Sequence, residues 1–239
     1  MRYVNAKGLE LNQAIGKSLI GALMTDQILN NYLSTSVLDE ADNVANNEAG
    51  ILEEGKNYTT MEHKWDEAYG YVYGAEANPA SPVLLADGFL NKYISRAEGD
   101  ADFKGIAQEI FNAFKLGRAA IVSKKYDIRD AQAEIIRTAI SKIIAIRAVY
   151  YLQSAKTVLD TDKAAAFHDL SEGFGFVYSL RFTRNTSTNT SYFTSSEISN
   201  FINVLLDGDG FWEVSVEELD EISNTIAGKF DFTVAETLN

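Results

Sequence analysis

The chain contains two histidines, and each is followed by a glutamate four residues later: His63 by Glu67, and His168 by Glu172. On a helix, side chains at this spacing lie about 40° apart around the axis, so each pair would point an imidazole nitrogen and a carboxylate at one place. Two imidazoles and two carboxylates together suit iron, zinc or manganese better than calcium. We therefore predict a metal site formed by His63, Glu67, His168 and Glu172.

Two aspartates stand close to these pairs in the sequence. Asp66 and Asp169 are candidates for further ligands, or for acceptors that fix the tautomer of an imidazole ring. The alternative is structural: each glutamate accepts a hydrogen bond from the histidine of its own helix, and no metal binds. The spacing leaves both interpretations open, and it leaves open whether a bound metal would be iron or zinc.

Both pairs belong to a repeated motif. The segments 63–73 and 168–178 read His-x-x-x-Glu-x-aromatic-Gly-aromatic-Val-Tyr. Three weaker matches follow the same order along the chain: 14–17 with 139–142, 89–91 with 201–203, and 109–112 with 221–224. Four collinear matches indicate duplication of a four-helix unit.

The repeat predicts an all-α fold of two four-helix bundles, residues 1–124 and 125–239, packed as one compact fold about a pseudo-twofold axis. Gly70 and Gly175 stand at the same place in the two motifs. Because glycine disfavours a helix interior, we expect both at close approaches between helices.

Apolar periodicity and capping signals place the individual helices. Leucine and isoleucine recur at helical spacing over residues 9–33, which predicts the first helix. Ser or Thr followed three residues later by Glu forms a capping box that begins a helix. The boxes are Thr59 with Glu62, Thr194 with Glu197, and Ser215 with Glu218. Other helices are predicted at about 84–96, 103–123, 127–154 with an Asp127 cap, and 163–181, and residues 39–57 are predicted to form an acidic loop.

Composition excludes several functional classes. The 239 residues carry a net charge of −13, whereas a nucleic-acid surface needs clustered Lys and Arg. The absence of cysteine excludes disulfides and thiolate chemistry. No apolar run reaches the roughly 18–20 residues needed to cross a bilayer, so the chain is expected to be soluble.

The remaining candidates are one acidic segment and two arginines. Segment 207–212 with Glu218 has the acidic spacing of a calcium loop, but Trp212 stands where that loop requires glycine, so a helix-linking turn is favoured. Arg147 and Arg181 are candidate carboxylate partners between the two bundles, and purely structural roles are compatible with the same positions.

A duplicated four-helix unit with paired His and Glu resembles the imelysin-like bacterial proteins, and more closely a related uncharacterised family of cell-envelope lipoproteins. The resemblance lies in segments 63–73, 168–181 and 4–10 with the helix that follows. In the imelysin signature, Gly-x-His-x-x-Glu, Met61 and Ala166 take the Gly position, and Asp66 and Ser171 take the Glu position. The resemblance implies a periplasmic or cell-surface location, a role in iron uptake, and a lipoprotein signal and N-terminal region that precede this chain.

The expected function is therefore a cell-envelope binding protein in iron acquisition, with its His/Glu site between the two bundles and a metal ion or iron-containing ligand as partner. One alternative is a metal-dependent hydrolase of the peptidase type, although the usual His-Glu-x-x-His helix is absent. The other is a structural or partner-binding protein without a metal site.

Overall fold

The computed structural model describes residues 2–75 and 77–238, and this part of the chain is helical. It contains no strand, only an isolated bridge between Asn185 and Thr190. The α-helices are α1 (Leu11–Leu19), α2 (Thr35–Leu38), α3 (Asn43–Ala49), α4 (Thr60–Tyr73), α5 (Leu90–Glu98), α6 (Ile106–Val122), α7 (Tyr126–Val158), α8 (Lys163–Ser179), α9 (Ser195–Leu205) and α10 (Val216–Lys229). Short 3-10 turns follow at Leu180–Phe182, Gly210–Trp212 and Val234–Leu238. The all-α prediction is confirmed.

Helix α1 continues without a break into two wider, π-helical turns, Ile20–Thr25 and Gln27–Tyr32. The predicted first helix is therefore confirmed in extent, but its second half has a different hydrogen-bond register. Such turns shift the backbone carbonyls from their usual partners. Here the buried guanidinium of Arg137 donates to two carbonyls at the end of this helix, those of Leu29 (3.1 Å) and Leu33 (2.7 Å).

The periodic leucines of the first helix lie on its outer side. Leu11, Ile15, Leu19 and Leu23 are 44–57% exposed. The inner side carries small residues such as Ala14 and Gly21 in the first half, where the helix lies close to α8. Further along, Ile28 and Leu29 are buried. The spacing thus predicts the helix correctly without telling which face is buried.

Helix α7 is the central element of the fold. It packs against α6 and α8 along much of its length, and also against α5 and α10. More than half of its 33 residues are buried, and most of the buried residues are apolar. It begins at Tyr126 after Lys125, and Asp127 lies in its first turn, so the predicted Asp127 cap was wrong.

All three predicted capping boxes are present. At Thr59, Thr194 and Ser215, the hydroxyl accepts from the N–H group three residues later, and the glutamate there accepts from the cap residue's N–H.

Two predictions between the helices were less accurate, one of a loop and one of a helix start. Helix α3 lies within the expected acidic loop, and α5 begins at Leu90, later than residue 84. Segment 207–213 forms a turn in which Glu213 accepts from the N–H of Asp209.

The buried apolar residues of both predicted units form one continuous core. The predicted boundary after residue 124 falls in the turn between α6 and α7, and α7 then packs against helices on both sides of that boundary. None of the helices in the described part of the chain is long and apolar enough to cross a membrane.

Candidate functional site

The first histidine motif lies on α4. The capping box at Thr59 begins this helix, so His63 and Glu67 share a face, as predicted. Their side chains are 3.4 Å apart (Nε2 to Oε1), and each is about 40% exposed. The ring of Tyr58 stacks on the imidazole with centroids 5.1 Å apart. His63 is therefore a surface residue held by one carboxylate and one ring.

Asp66 is engaged by a cation rather than by His63. Arg118 from α6 donates from Nε to Asp66 (2.9 Å) and from Nη1 to Glu62 (2.8 Å). Burial raises the pKa of the Asp66 carboxyl, and Arg118 acts in the opposite direction. The predicted auxiliary role of Asp66 at the histidine has no contact to support it.

The second histidine has a partner far away in the sequence. Nδ1 of His168 lies 2.8 Å from Oε2 of Glu10, the residue before α1, and the Glu10 side chain is 8% exposed. The backbone N–H of Glu10 donates to the hydroxyl of Ser171, one turn further along α8. The pair joins the start of the first helix to the second histidine motif.

Glu172 does not pair with His168, which corrects the predicted pairing within α8. Its carboxylate lies 3.1 Å from Nζ of Lys17, and both side chains are at most 13% exposed. Burial raises the pKa of the neighbouring Tyr151 hydroxyl, and the charge of Glu172 raises it further. Helix α1 therefore supplies the counter-charge for Glu172.

Asp169 forms its hydrogen bond with α7 and not with the histidine. It accepts a hydrogen bond from the hydroxyl of Ser154 at 2.7 Å. Burial raises the pKa of Asp169, while this hydrogen bond and nearby His168 lower it.

The two glycines of the repeated motif differ in their surroundings. A Cβ atom on Gly175 would lie 2.4 Å from Cβ of Lys17 and 2.8 Å from the carbonyl oxygen of Ala14. The predicted close approach is confirmed there, between α1 and α8. At Gly70, no neighbouring atom lies within 4 Å of the place that a Cβ would occupy, so the same prediction was wrong for the first motif.

The structure does not bring the four predicted ligands together. Within residues 2–75 and 77–238, no group of three or more His, Asp or Glu side chains is arranged to hold a metal ion. Among the described residues, each histidine has one carboxylate within ion-pair distance, whereas zinc and iron sites ordinarily use three or four protein ligands. The residues present therefore do not fit a protein-only site for a bare metal ion.

Glu10 and Lys17 were not among the predicted site residues. The sequence signal for them is that both are charged residues in the apolar first part of the chain, where the first helix was predicted. In the structure both side chains are nearly buried. A buried charge requires a partner, and the remaining unpaired charges on α8 would then have been the candidates.

The fold and these pairs define an all-helical protein with two His–carboxylate pairs, one on the surface of α4 and one between α1 and α8. The chain belongs to the family described as Domain of unknown function (DUF4856), whose model matches residues 1–233. A comparison with curated proteins found no significant match, and a comparison with solved structures found none either.

Proposed function

We propose that this protein is a non-enzymatic binding protein of the bacterial cell envelope that acts in iron acquisition and has an imelysin-like fold. The observation that carries the proposal is the pair formed by His168 and Glu10. The location and the link to iron come from the resemblance of the two histidine motifs.

The His168–Glu10 pair has the arrangement of a metal-ligating histidine. Such histidines almost always direct one ring nitrogen at a carboxylate or carbonyl, which fixes the tautomer and leaves the other nitrogen for the metal. Here Nδ1 faces the buried carboxylate, no described residue forms a hydrogen bond with Nε2, and the His168 side chain is 24% exposed. The imidazole is oriented and accessible at the same time.

A single imidazole suits iron that is already held by a chelator or a porphyrin. Such iron needs one or two further ligands, whereas a bare ion would need the full set that these residues do not supply. The same shortage disfavours the hydrolase alternative, because a metal that activates water must be held by several protein ligands.

We also propose that the chain arose by duplication of a four-helix unit, with the site between the units. The four sequence matches fall on corresponding helices: the first helix and α7, α4 and α8, α5 and α9, α6 and α10. The contacts have diverged, since Lys17 pairs with Glu172 whereas its counterpart Lys142 lies over the ring of Phe103.

The test uses haemin and ferric nitrilotriacetate as probes, with the intact chain and three variants. We expect stoichiometric binding of at least one probe, seen for haemin as a shift of its visible absorption band, and loss of that binding in His168→Ala. Glu10→Gln should weaken it by about tenfold or more, because the carboxylate orients the ring. His63→Ala is the matched control, since it removes the other histidine.

Circular dichroism shows whether each variant is folded. Absence of binding by the intact chain, or undiminished binding by folded His168→Ala, would contradict the proposal and favour a structural role for the pair. Equal losses in the two histidine variants would instead indicate that both motifs contribute to the site.

A further inference from the structure

A polar cleft that neither histidine lines lies between α5, α7 and α8. Its volume is about 400 Å³, within the range of small-molecule sites. Three cationic side chains line it: Arg147 from α7, and Lys92 and Arg96 from α5. The carboxylates of Asp100 and Asp169 also line it. The cleft therefore has a positive balance in a chain whose net charge is −13.

Arg147 is buried and has no polar partner. It is 7% exposed, and its guanidinium carbon lies 3.9 Å from the ring centre of Tyr150 and 4.8 Å from that of Tyr151. Its Nε has no hydrogen-bond acceptor, and the described residues form no ion pair with it. A buried donor without an acceptor is costly, and an anion in the cleft beside the guanidinium would offset part of that cost.

The other two cations of the cleft are also unpaired. Lys92 lies over the ring of Tyr93 at 5.3 Å, and neither Lys92 nor Arg96 forms an ion pair with any described carboxylate. Most of the 21 lysines and arginines likewise form no ion pair with a described carboxylate, so what distinguishes these two is that they line the same cleft as Arg147.

The two aspartates of the cleft make their hydrogen bonds elsewhere. Asp169 accepts from Ser154, and Asp100 accepts from the backbone N–H of Asp102 at 3.0 Å. Neither is within ion-pair distance of Arg147, although all three line the same space. The guanidinium thus remains free to accept an anion from solvent.

We propose that this cleft binds a small organic anion through a carboxylate or phosphate group, with Arg147 as the principal contact. The planar guanidinium offers parallel N–H donors that match two oxygens of either group. Lys92 and Arg96 add charge at the mouth, and the rings of Tyr150 and Tyr151 hold the guanidinium in place and offer flat surfaces to the rest of the ligand. The proposal does not depend on iron binding, because neither histidine lines the cleft.

Calorimetric titration at low ionic strength tests the proposal, with succinate and inorganic phosphate as separate probes that distinguish the two oxyanions. We expect saturable binding of one of them with one site per chain. Arg147→Gln should weaken it by about tenfold to a hundredfold, the usual effect of losing a hydrogen bond to a charged group. Arg147→Lys keeps the charge but loses the paired donors, so it should restore only part of the affinity.

Arg181→Gln is the matched control. Arg181 also lies over a tyrosine ring, that of Tyr178 at 5.1 Å, and its Nε also lacks an acceptor, but it is outside the cleft. Its loss removes the same charge and should leave the affinity unchanged.

The double variant Lys92→Gln/Arg96→Gln changes less buried side chains and keeps the test valid if Arg147→Gln does not fold. It should weaken binding several-fold. Failure of both probes to bind, or equal weakening by Arg147→Gln and Arg181→Gln, would overturn the proposal. Titration of His168→Ala separates this site from the proposed iron site, because that variant should bind the oxyanion normally.

Discussion

At the residue scale, buried charges and their partners explain most of the polar interior. Glu10 pairs with His168, Glu172 with Lys17, and Arg129 with Asp39 at 2.6 Å. Each pair joins elements far apart in the sequence, so breaking one would leave a desolvated charge without compensation. Arg147 is also buried but forms no ion pair with a described residue, and it lines the cleft between α5, α7 and α8.

The ion pair between Glu197 and Lys229 makes stability depend on pH. The hydrogen bond from Lys229, together with those from Thr194, lowers the pKa of Glu197 from 4.5 to about 2. A lowered pKa in the folded state stabilises the fold above the unfolded value and is lost as pH falls towards the folded value. The contribution is thus complete above about pH 4.5 and disappears towards about pH 2.

We expect Glu197→Gln, which can still cap the helix, to lower the free energy of unfolding at neutral pH by up to about 1 kcal/mol, the range for exposed pairs. The difference from the unaltered chain should shrink between about pH 4.5 and 2. Urea denaturation across this range measures it. Glu221→Gln is the control, since no hydrogen bond to its side chain is found; a difference independent of pH would contradict the assignment.

At the element scale, the contact between α1 and α8 is set by small residues. Gly175 faces Ala14 and Lys17, and a Cβ on Gly21 would lie 2.4 Å from Oγ of Ser179. The Ser179 hydroxyl also lies 2.9 Å from the carbonyl oxygen of Lys17, to which it donates. Because the backbones are this close, Lys17 can reach Glu172.

Gly175→Ala and Gly70→Ala form a matched pair at equivalent positions of the repeat. We expect Gly175→Ala to destabilise the fold by about 1–3 kcal/mol, because its methyl group would meet backbone atoms of α1 that cannot move independently. Gly70→Ala should be neutral or stabilise by up to about 1 kcal/mol, because alanine is the better helix former and the space is open. Urea denaturation compares them, and equal effects would contradict the close approach.

At the scale of the whole molecule, α7 connects the two predicted units. It packs against α6 of the first unit and against α8 and α10 of the second, and all contribute to one core. Separate unfolding of the units would expose one side of this largely buried helix. We therefore expect a single cooperative unfolding transition.

Trp212→Phe allows this to be measured, because it leaves Trp65 as the sole tryptophan, and Trp65 is buried in the first unit. Thermal curves from Trp65 fluorescence and from far-UV circular dichroism should coincide. Trp212 is 51% exposed, and its Nε1 donates to the carbonyl oxygen of Ala6 at 3.1 Å, so the far-UV circular dichroism spectrum must first show that the variant is folded. Two separate midpoints would show that the units fold independently.

The helical class and many helix boundaries follow from the sequence alone. These properties depend on residues a few positions apart: the Thr59–Glu62, Thr194–Glu197 and Ser215–Glu218 boxes act within one turn, and apolar periodicity acts along one helix. The same local reasoning placed His63 beside Glu67 correctly.

The partners of the other charged residues depend on how the helices pack. Glu10 and His168 are 158 positions apart, and Lys17 reaches Glu172 because Gly175 lets two helices approach. Helical spacing suggested a pairing of His168 with Glu172. In the structure Glu172 pairs with Lys17 of α1, and His168 pairs with Glu10, the residue before α1. Local periodicity does not specify which helices pack together, and the chemistry of both proposed sites depends on that packing.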